Sequence, residues 1–253
     1  MSGHLSVVGL GPGSPEQVTP QARAALDLAQ EIFGYGPYLA RVPEKPGQTR
    51  HATDNREELS RAGAALERAA AGARVVMVSG GDPGVFAMAA AVCEAIEHGP
   101  PHWRAVEVEM VPGITAMLAV AARIGAPLGH DFCAISLSDN LKPWPLVEAR
   151  LKAAAEAGFV IALYNPISRA RPWQLDAAFE LLRGVLTPSV PVIFGRAAGR
   201  PDERIVLSTL AEAKGEQADM ATCVLIGSEE TRIVERPGLS PLVYSPRSAR
   251  AAG

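Results

Sequence analysis

The chain has 253 residues, of which 48% are hydrophobic and 20% charged, with a net charge of −3. That composition excludes a disordered chain, and the slight acidic excess argues against a general nucleic-acid binder. A chain of this length buries about three quarters of its unfolded surface, so it needs no disulfide or metal as a staple.

The 24 glycines and 21 prolines are in excess and follow no collagen period. They point to many shaped loops, where sites are usually built. Cys93, Cys133 and Cys223 are far apart and odd in number. This is no disulfide framework, and it fits a reducing cytoplasm. Met1-Ser2-Gly3-His4 shows no basic region leading into an apolar stretch. The longest apolar runs fall far short of the ~18 residues a membrane span needs. A cytoplasmic protein with neither membrane nor nucleic acid as partner is expected.

Strand-like and helix-like stretches alternate along the chain, the pattern of an α/β protein. Residues 5–10 read as a buried strand that ends in Gly11-Pro12-Gly13-Ser14-Pro15. Thr19 as N-cap and Pro20 in the first turn then open a helix with Ala22, Ala25, Leu26 and Ala29 on its apolar face. A second helix is expected from Asp54, with Glu57 spaced for a capping box. Its buried stripe would be Leu59, Ala62, Leu66, Ala69 and Ala70. Residues 74–79 form a buried strand that runs into Gly80-Gly81-Asp82-Pro83-Gly84. The next helix is expected to bury Phe86, Ala89, Ala90, Cys93 and Ile96. Residues 105–111 alternate like a half-exposed strand, Pro112-Gly113 breaks it, and 114–124 look helical.

The second half is richer in strands, at 132–137, 159–163, 190–194, 204–207 and 223–226. One helix is expected over 145–157. Another starts at Pro172 and buries Leu175, Ala178, Phe179, Leu182 and Leu186. The expected division is 1–113 and 114–245, both α/β, with a disordered tail at 246–253. There is no internal repeat and no low-complexity segment.

Several familiar motifs are missing. Gly9-Leu10-Gly11-Pro12-Gly13-Ser14 lacks the third glycine of a dinucleotide fingerprint, and Pro12 removes a backbone N–H that a pyrophosphate would use. There is no P-loop, and Ser79 lacks the glycine pattern of a nucleophile elbow. Cys93, His98 and His102 are read as a core cysteine and two loop histidines, so no metal is expected.

Four loops carry more together than any one does alone. They are Val8-Gly9-Leu10-Gly11-Pro12-Gly13, Ser79-Gly80-Gly81-Asp82-Pro83-Gly84-Val85-Phe86, Val111-Pro112-Gly113-Ile114-Thr115-Ala116 and Ala162-Leu163-Tyr164-Asn165-Pro166. In this order and spacing the chain resembles the tetrapyrrole (corrin and porphyrin) methyltransferases, from about Leu5 to Val234. Residues 124–139, Leu141-Lys142-Pro143-Trp144 and Tyr164-Asn165-Pro166-Ile167-Ser168 are similar to the cobalamin-pathway branch, which methylates C17 of a precorrin and takes part in contracting its ring.

The resemblance implies two α/β domains with S-adenosylmethionine in the cleft between them, a tetrapyrrole (precorrin) substrate and a homodimer. By position it assigns cofactor contacts to Pro12, Gly80, Gly81, Asp82, Val85, Phe86, Thr115, Ala116, Tyr164, Asn165, Ala197 and Thr222. Another methylase of the same fold, or a non-catalytic tetrapyrrole carrier, remains as an alternative.

Methyl transfer from a sulfonium asks mainly for positioning. Ring contraction also asks for proton transfer, because a hydroxyl at C20 loses its proton as a carbon–carbon bond migrates. Candidates are Asp131, His130, Asp82 and Tyr35, in that order. Tyr35 stands where relatives that methylate uroporphyrinogen have an aspartate. A polyanionic substrate also calls for local cations. Arg50, His51, Lys142, Arg169, Arg171 and Arg196 are the candidates, all expected on loops.

Overall fold

The computed structural model describes residues 3–54, 57–168 and 170–248. The chain divides into two units, the first ending at Thr115 and the second beginning at Ala116.

The first unit has five strands, β1 His4–Gly9, β2 Glu31–Tyr35, β3 Thr49–Thr53, β4 Arg74–Ser79 and β5 Glu107–Val111. They pair in parallel in the order β3-β2-β4-β1-β5. Helices α1 Pro20–Leu28, α2 Gly36–Leu39, α3 Glu58–Ala70 and α4 Met88–His98 connect them. Continuous apolar runs in β1 and β4 fit a sheet covered on both faces. Leu5, Val7 and Met77 pack with Ala62, Leu66 and Val92, while Val8, Ile32 and Val78 pack with Ala22 and Leu26. Thr19 caps α1 as expected, its hydroxyl accepting from the Ala22 N–H at 3.1 Å.

Three local expectations change. α3 begins at Glu58 rather than Asp54, and Glu57 reaches back to accept from the Asp54 N–H at 3.3 Å. Leu59 then faces solvent, 56% exposed, and Ala65 joins the buried stripe instead. α4 buries Met88, Val92 and Ala95, a stripe rotated from the expected one, because the helix starts at Met88 and leaves Phe86 outside it. Cys93 is accordingly exposed.

The second unit contains α5 Ala116–Ile124, α6 Trp144–Glu156 and α7 Gln174–Arg183. Its main sheet uses β7 Phe132–Ser136, β8 Val160–Tyr164, β9 Pro191–Arg196, β10 Arg204–Thr209 and β11 Thr222–Ile226. The order is β10-β9-β11-β8-β7, with only β7 and β8 parallel. Leu175, Ala178, Phe179 and Leu182 of α7 are fully buried against this sheet's core, as their spacing predicts. A Cβ on Gly195 would lie 2.1 Å from Val120 Cγ2, so α5 sits directly on the β9 backbone. A further sheet, β12 Arg232–Arg236, β13 Leu239–Tyr244 and the short β6 Gly125–Ala126, has no counterpart in the expected strands. Of the expected tail, 249–253 lie outside the described residues.

Glu31 and Arg61 are buried charges of the first unit, 7% and 4% exposed. Arg68 of α3 donates to Glu31 through Nε at 2.8 Å and Nη2 at 2.5 Å, and His51 of β3 meets its other oxygen at 2.8 Å. The Arg68 hydrogen bonds outweigh opposing burial and hold the carboxyl below its ordinary pKa. A depressed pKa stabilises the fold above the unfolded value, about 4.3, and that contribution fades as pH falls through the folded value. Glu31→Gln should therefore cost about 1–3 kcal/mol at neutral pH, with Arg68's share trimmed by its exposure. The gap to wild type should shrink in acid. Chemical denaturation at neutral and acidic pH checks this, and a gap indifferent to pH would remove the charge from the account.

The cysteines divide by burial. Cys223 is fully buried and its thiol is pushed up to about 12, whereas Cys93 is exposed. Thiolate is the reactive form. Iodoacetamide at mildly alkaline pH should label Cys93 in the native protein and spare Cys223 until denaturant is added. Peptide mass mapping reads the order.

Candidate active site

In the first unit the sheet's carboxyl end gathers three loops. Gly11 and Gly81 exchange backbone hydrogen bonds at 3.1 and 3.0 Å, joining the loops after β1 and β4. Both have positive φ, 65° and 66°, a conformation that favours glycine. Asp82 ties in the third loop. Its Oδ2 accepts from the Gly113 N–H at 3.0 Å, and its Oδ1 accepts from the Gly84 N–H at 2.8 Å. The packing leaves no room for side chains at two points. A Cβ on Gly113 would be 2.3 Å from the Gly81 carbonyl oxygen, and one on Gly9 would be 2.6 Å from the same atom. Pro12, Gly80, Gly81, Asp82, Val85 and Phe86 are thus on loops that the backbone holds together, with Thr115 buried after β5.

In the second unit Tyr164, Asn165, Ala197 and Thr222 share one end of the main sheet. Tyr164 closes β8, Thr222 opens β11, and Ala197 follows β9 with its N–H on the Ala221 carbonyl at 2.9 Å. Tyr164 Oη accepts from the Met117 N–H at 3.0 Å, which fixes the start of α5 beside Ala116. Asn165 donates through Nδ2 to Ser136 Oγ at 2.9 Å.

Among the described residues, three non-glycines have positive φ: Phe86 at 51°, Asn165 at 51° and Ala197 at 49°. All three belong to the set that the resemblance assigns to the cofactor. Such backbone costs of order 1–3 kcal/mol each and concentrates at ligand sites. Phe86 is also 50% exposed, an apolar ring held out from a strained turn. Backbone-presenting loops of this kind, one of them carrying a half-exposed ring, suit an uncharged heterocycle and a flexible chain better than a phosphate.

The four proton-transfer candidates separate. Both Asp82 oxygens are engaged by backbone N–H groups. His130 and Asp131 precede β7, and Asp131's carbonyl accepts from the Val160 N–H at the start of β8. Tyr164 and Ser136 pair at the other end of the same two strands. The strand rise separates the His130–Asp131 loop from Tyr164 and Asn165 by about 15 Å. His130 Nδ1 accepts from the Asp131 N–H at 2.7 Å, so the neutral ring carries its proton on Nε2. Tyr35 closes β2 at the loop end of the first sheet, and its ring meets Tyr38 edge-on at 5.5 Å. Its hydroxyl has no hydrogen-bond partner among the described residues. Tyr38 in turn lies against Gly80, where a Cβ would be 2.8 Å from its ring.

The basic candidates also divide. Arg50 and His51 are on β3 rather than on a loop. Arg50 Nη2 donates to the Leu39 and Val42 carbonyls, and His51 is held by Glu31 and stacked on Phe33 at 4.1 Å. Arg196 ends β9 and is shared between Asp219 at 2.7 Å and Asp202 at 2.6 Å. These three are engaged within the fold. Arg171 donates to Ser138 Oγ at 2.6 Å and lies 3.4 Å from Asp139. Lys142 makes no such contact among the described residues. Arg169 lies outside the described residues.

Sequence reasoning missed Arg41, whose Nη2 donates to the Leu10 and Gly11 carbonyls at 2.8 and 2.9 Å and braces the first loop. It also missed Ser136, the partner of Asn165. Neither has a local signal, since each contact joins distant segments. Gly9 and Gly113 were within quoted motifs, and a glycine kept beside a strand end is a readable sign of close approach.

Glycine loops at the carboxyl ends of a parallel sheet place the chain among the ligand-binding α/β proteins. Residues 4–214 match the family Tetrapyrrole (Corrin/Porphyrin) Methylases, and the chain belongs to it. Precorrin-3B C(17)-methyltransferase of Sinorhizobium sp is 70% identical, over 98% of this chain and 97% of that protein. The crystal structure of the methyltransferase CobJ matches with a TM-score of 0.92 and 52% identity, covering 97% of this chain and 100% of that one. Uroporphyrin-III C-methyl transferase from Thermus thermophilus, complexed with S-adenyl homocysteine, matches with a TM-score of 0.67 and 25% identity, over 89% and 97%.

Proposed function

We propose that this chain methylates C17 of precorrin-3B from S-adenosylmethionine and takes part in contracting the macrocycle to precorrin-4, in cobalamin biosynthesis. The observation that carries the reading is 70% identity, over almost the full length of both chains, to a protein named for that reaction. The cofactor reading is supported by the relative complexed with S-adenyl homocysteine and by the strained, backbone-presenting loops.

When bound, S-adenosylmethionine supplies a methyl group already activated on sulfonium. The protein's part is then placement. Asp82 fixes the loops after β4 and β5 to each other. Gly80, Gly81, Val85, Phe86, Pro12 and Thr115 contact the cofactor from the first unit. Ala116, Tyr164, Asn165, Ala197 and Thr222 remain the contacts that the resemblance assigns in the second unit.

For ring contraction we assign proton transfer to Tyr35, which has an uncommitted hydroxyl at the loop end of its sheet. A phenol suits donation to the departing lactone oxygen better than proton removal. Asp82, His130 and Asp131 are set aside on the geometry above.

The reading includes a cytoplasmic homodimer. Val234 and Leu242, cross-strand partners on one face of the β12–β13 hairpin and 42% and 38% exposed, offer it apolar surface. Light scattering that returned the 26.5 kDa monomer at micromolar concentration would reject the dimer.

Incubation with precorrin-3B and methyl-labelled S-adenosylmethionine, followed by mass and NMR analysis, tests the function. Label at C17 of a contracted ring is expected. Label at another carbon would make the chain a different methylase of the fold, and macrocycle binding without transfer would make it a carrier.

A further inference from the structure

The first unit holds a cavity that the cofactor reading does not use. It has a volume of about 160 Å³ and lies between α1, the loop after β1 and the segment after α2. Buried Leu10, Leu26 and Val42 form its floor, with partly exposed Val18 beside them. Exposed Arg23, Asp27 and Lys45 stand at its rim. A cavity of about 150 Å³ is enough to take up one benzene ring, so this one has the size of a single aromatic ring.

The polar groups of the wall narrow the chemistry. Its charges are already engaged within the fold. Lys45 pairs with Asp27, Arg23 donates to the Pro15 carbonyl, and Arg41 donates to the Leu10 and Gly11 carbonyls. The exception is a neutral acceptor. Gln48 lines the cavity, and its Nε2 donates to the Leu26 carbonyl at 2.7 Å and to the Ala29 carbonyl at 2.9 Å. Those two bonds fix the orientation of the amide. They leave Oε1 buried and without a partner among the described residues. A buried acceptor left unmet is costly, and a ligand that brings one donor relieves that cost.

The cavity also adjoins the loop after β1. Leu10 and Gly13 belong to its wall and flank Gly11, which is bonded to Gly81 at both backbone groups. Arg41, in the same wall, braces that loop. A molecule in the cavity therefore packs against the loop that carries Pro12.

We propose that this cavity is a regulatory site for a small neutral aromatic molecule with one O–H or N–H donor, which bonds Gln48 Oε1 and steadies the loop after β1. The ring rests on Leu10, Leu26 and Val42. Steadying the loop tightens cofactor binding, and by linkage the cofactor tightens binding of the ring by the same factor. The site stands apart from the cofactor reading, and only the coupling rests on it.

The test uses phenol as the probe, with anisole as the same ring without the donor, in ligand-observed NMR titrations of the full chain. Phenol should bind saturably. Val18→Phe, which places a ring of the protein's own in the cavity, should weaken it about 10-fold or more. Gln48→Met keeps the side-chain length and removes the acceptor. Phenol's preference over anisole should fall about 5- to 10-fold in that variant, the worth of one hydrogen bond to a buried group. Thermal unfolding checks that both variants fold, and Val18→Phe leaves Gln48 in place, so the site is tested even if Gln48→Met is unstable. Saturating phenol should lower the Kd for S-adenosylmethionine about 5-fold, the low end of typical couplings. Saturating cofactor should lower the phenol Kd equally, and both effects should vanish in Val18→Phe. Phenol binding that does not saturate, or that is unchanged in Val18→Phe, would overturn the site. An unchanged preference for phenol in Gln48→Met would overturn the donor, and binding with no change in cofactor affinity would overturn the regulation. A wild type that bound phenol saturably but not S-adenosylmethionine would overturn the cofactor reading and its coupling while supporting the site.

Discussion

Gly113→Ala should weaken S-adenosylmethionine binding about 10- to 100-fold in a protein that still folds. The added Cβ would sit 2.3 Å from the Gly81 carbonyl oxygen and 3.0 Å from the Gly9 backbone. Those atoms belong to the loop after β4 and to the end of β1, so relief of the clash must move one of them or the loop after β5. The Asp82 carboxylate, which accepts from Gly113 and Gly84, would be pulled out of register at the same time. Overpacking of this kind costs about 1–3 kcal/mol, and each 1.4 kcal/mol taken from binding is a tenfold loss of affinity. Gly9→Ala attacks the same carbonyl from the other side and should behave alike. Gly36→Ala is the control, since its Cβ would meet nothing within 4 Å. Calorimetry for affinity and thermal unfolding for stability separate the effects. Wild-type affinity in both Gly113→Ala and Gly9→Ala would mean that these loops do not hold the cofactor.

A Gly81→Val test would be a poorer one. Gly81 has φ of 66° and is bonded at both backbone groups to Gly11. A β-branched residue there is strained whatever the ligand does, so lost affinity would not distinguish a contact from a distorted loop.

The elements that sequence made legible are those with strong local signals. Thr19-Pro20 marks the start of α1, and the α7 stripe from Leu175 to Leu182 names its own buried face. β3 was not visible because Thr49–Thr53 is a partly exposed edge strand with no apolar alternation. The β12–β13 hairpin keeps its apolar residues half exposed, so its pattern reads as neither strand nor core. The loop motifs were legible as loops, but their mutual bonds were not. Nothing in Asp82's neighbourhood announces a partner at Gly113. Charge was the least legible feature. Arg50 and Arg196 look alike in sequence to Lys142, yet the first donates to carbonyls, the second is shared by two aspartates, and the third has no partner among the described residues. That distinction exists only once the strands are paired.

Tyr35→Phe should leave methyl transfer largely intact and reduce ring contraction about 10²-fold, the lower end of what a positioned acid or base typically contributes. The substitution removes one oxygen and keeps the ring, so the edge-on contact with Tyr38 at 5.5 Å survives. Through it the packing of Tyr38 on Gly80 survives too, and cofactor affinity should not change. Methylation asks for C17 to be placed against an activated group. Contraction alone needs a proton moved, so a lost hydroxyl should split the two chemistries. The companion variants sharpen the result. Asp131→Asn and His130→Ala alter a loop at the far end of β7 from Tyr164 and Asn165, and both should contract the ring at close to the wild-type rate. The readout is the product spectrum and mass in single-turnover work with cofactor saturating. A methylated, uncontracted product from Tyr35→Phe is the expected signature. Normal contraction in Tyr35→Phe, joined to its loss in Asp131→Asn, would move the proton chemistry back to the loop before β7 and leave Tyr35 a packing role against Tyr38.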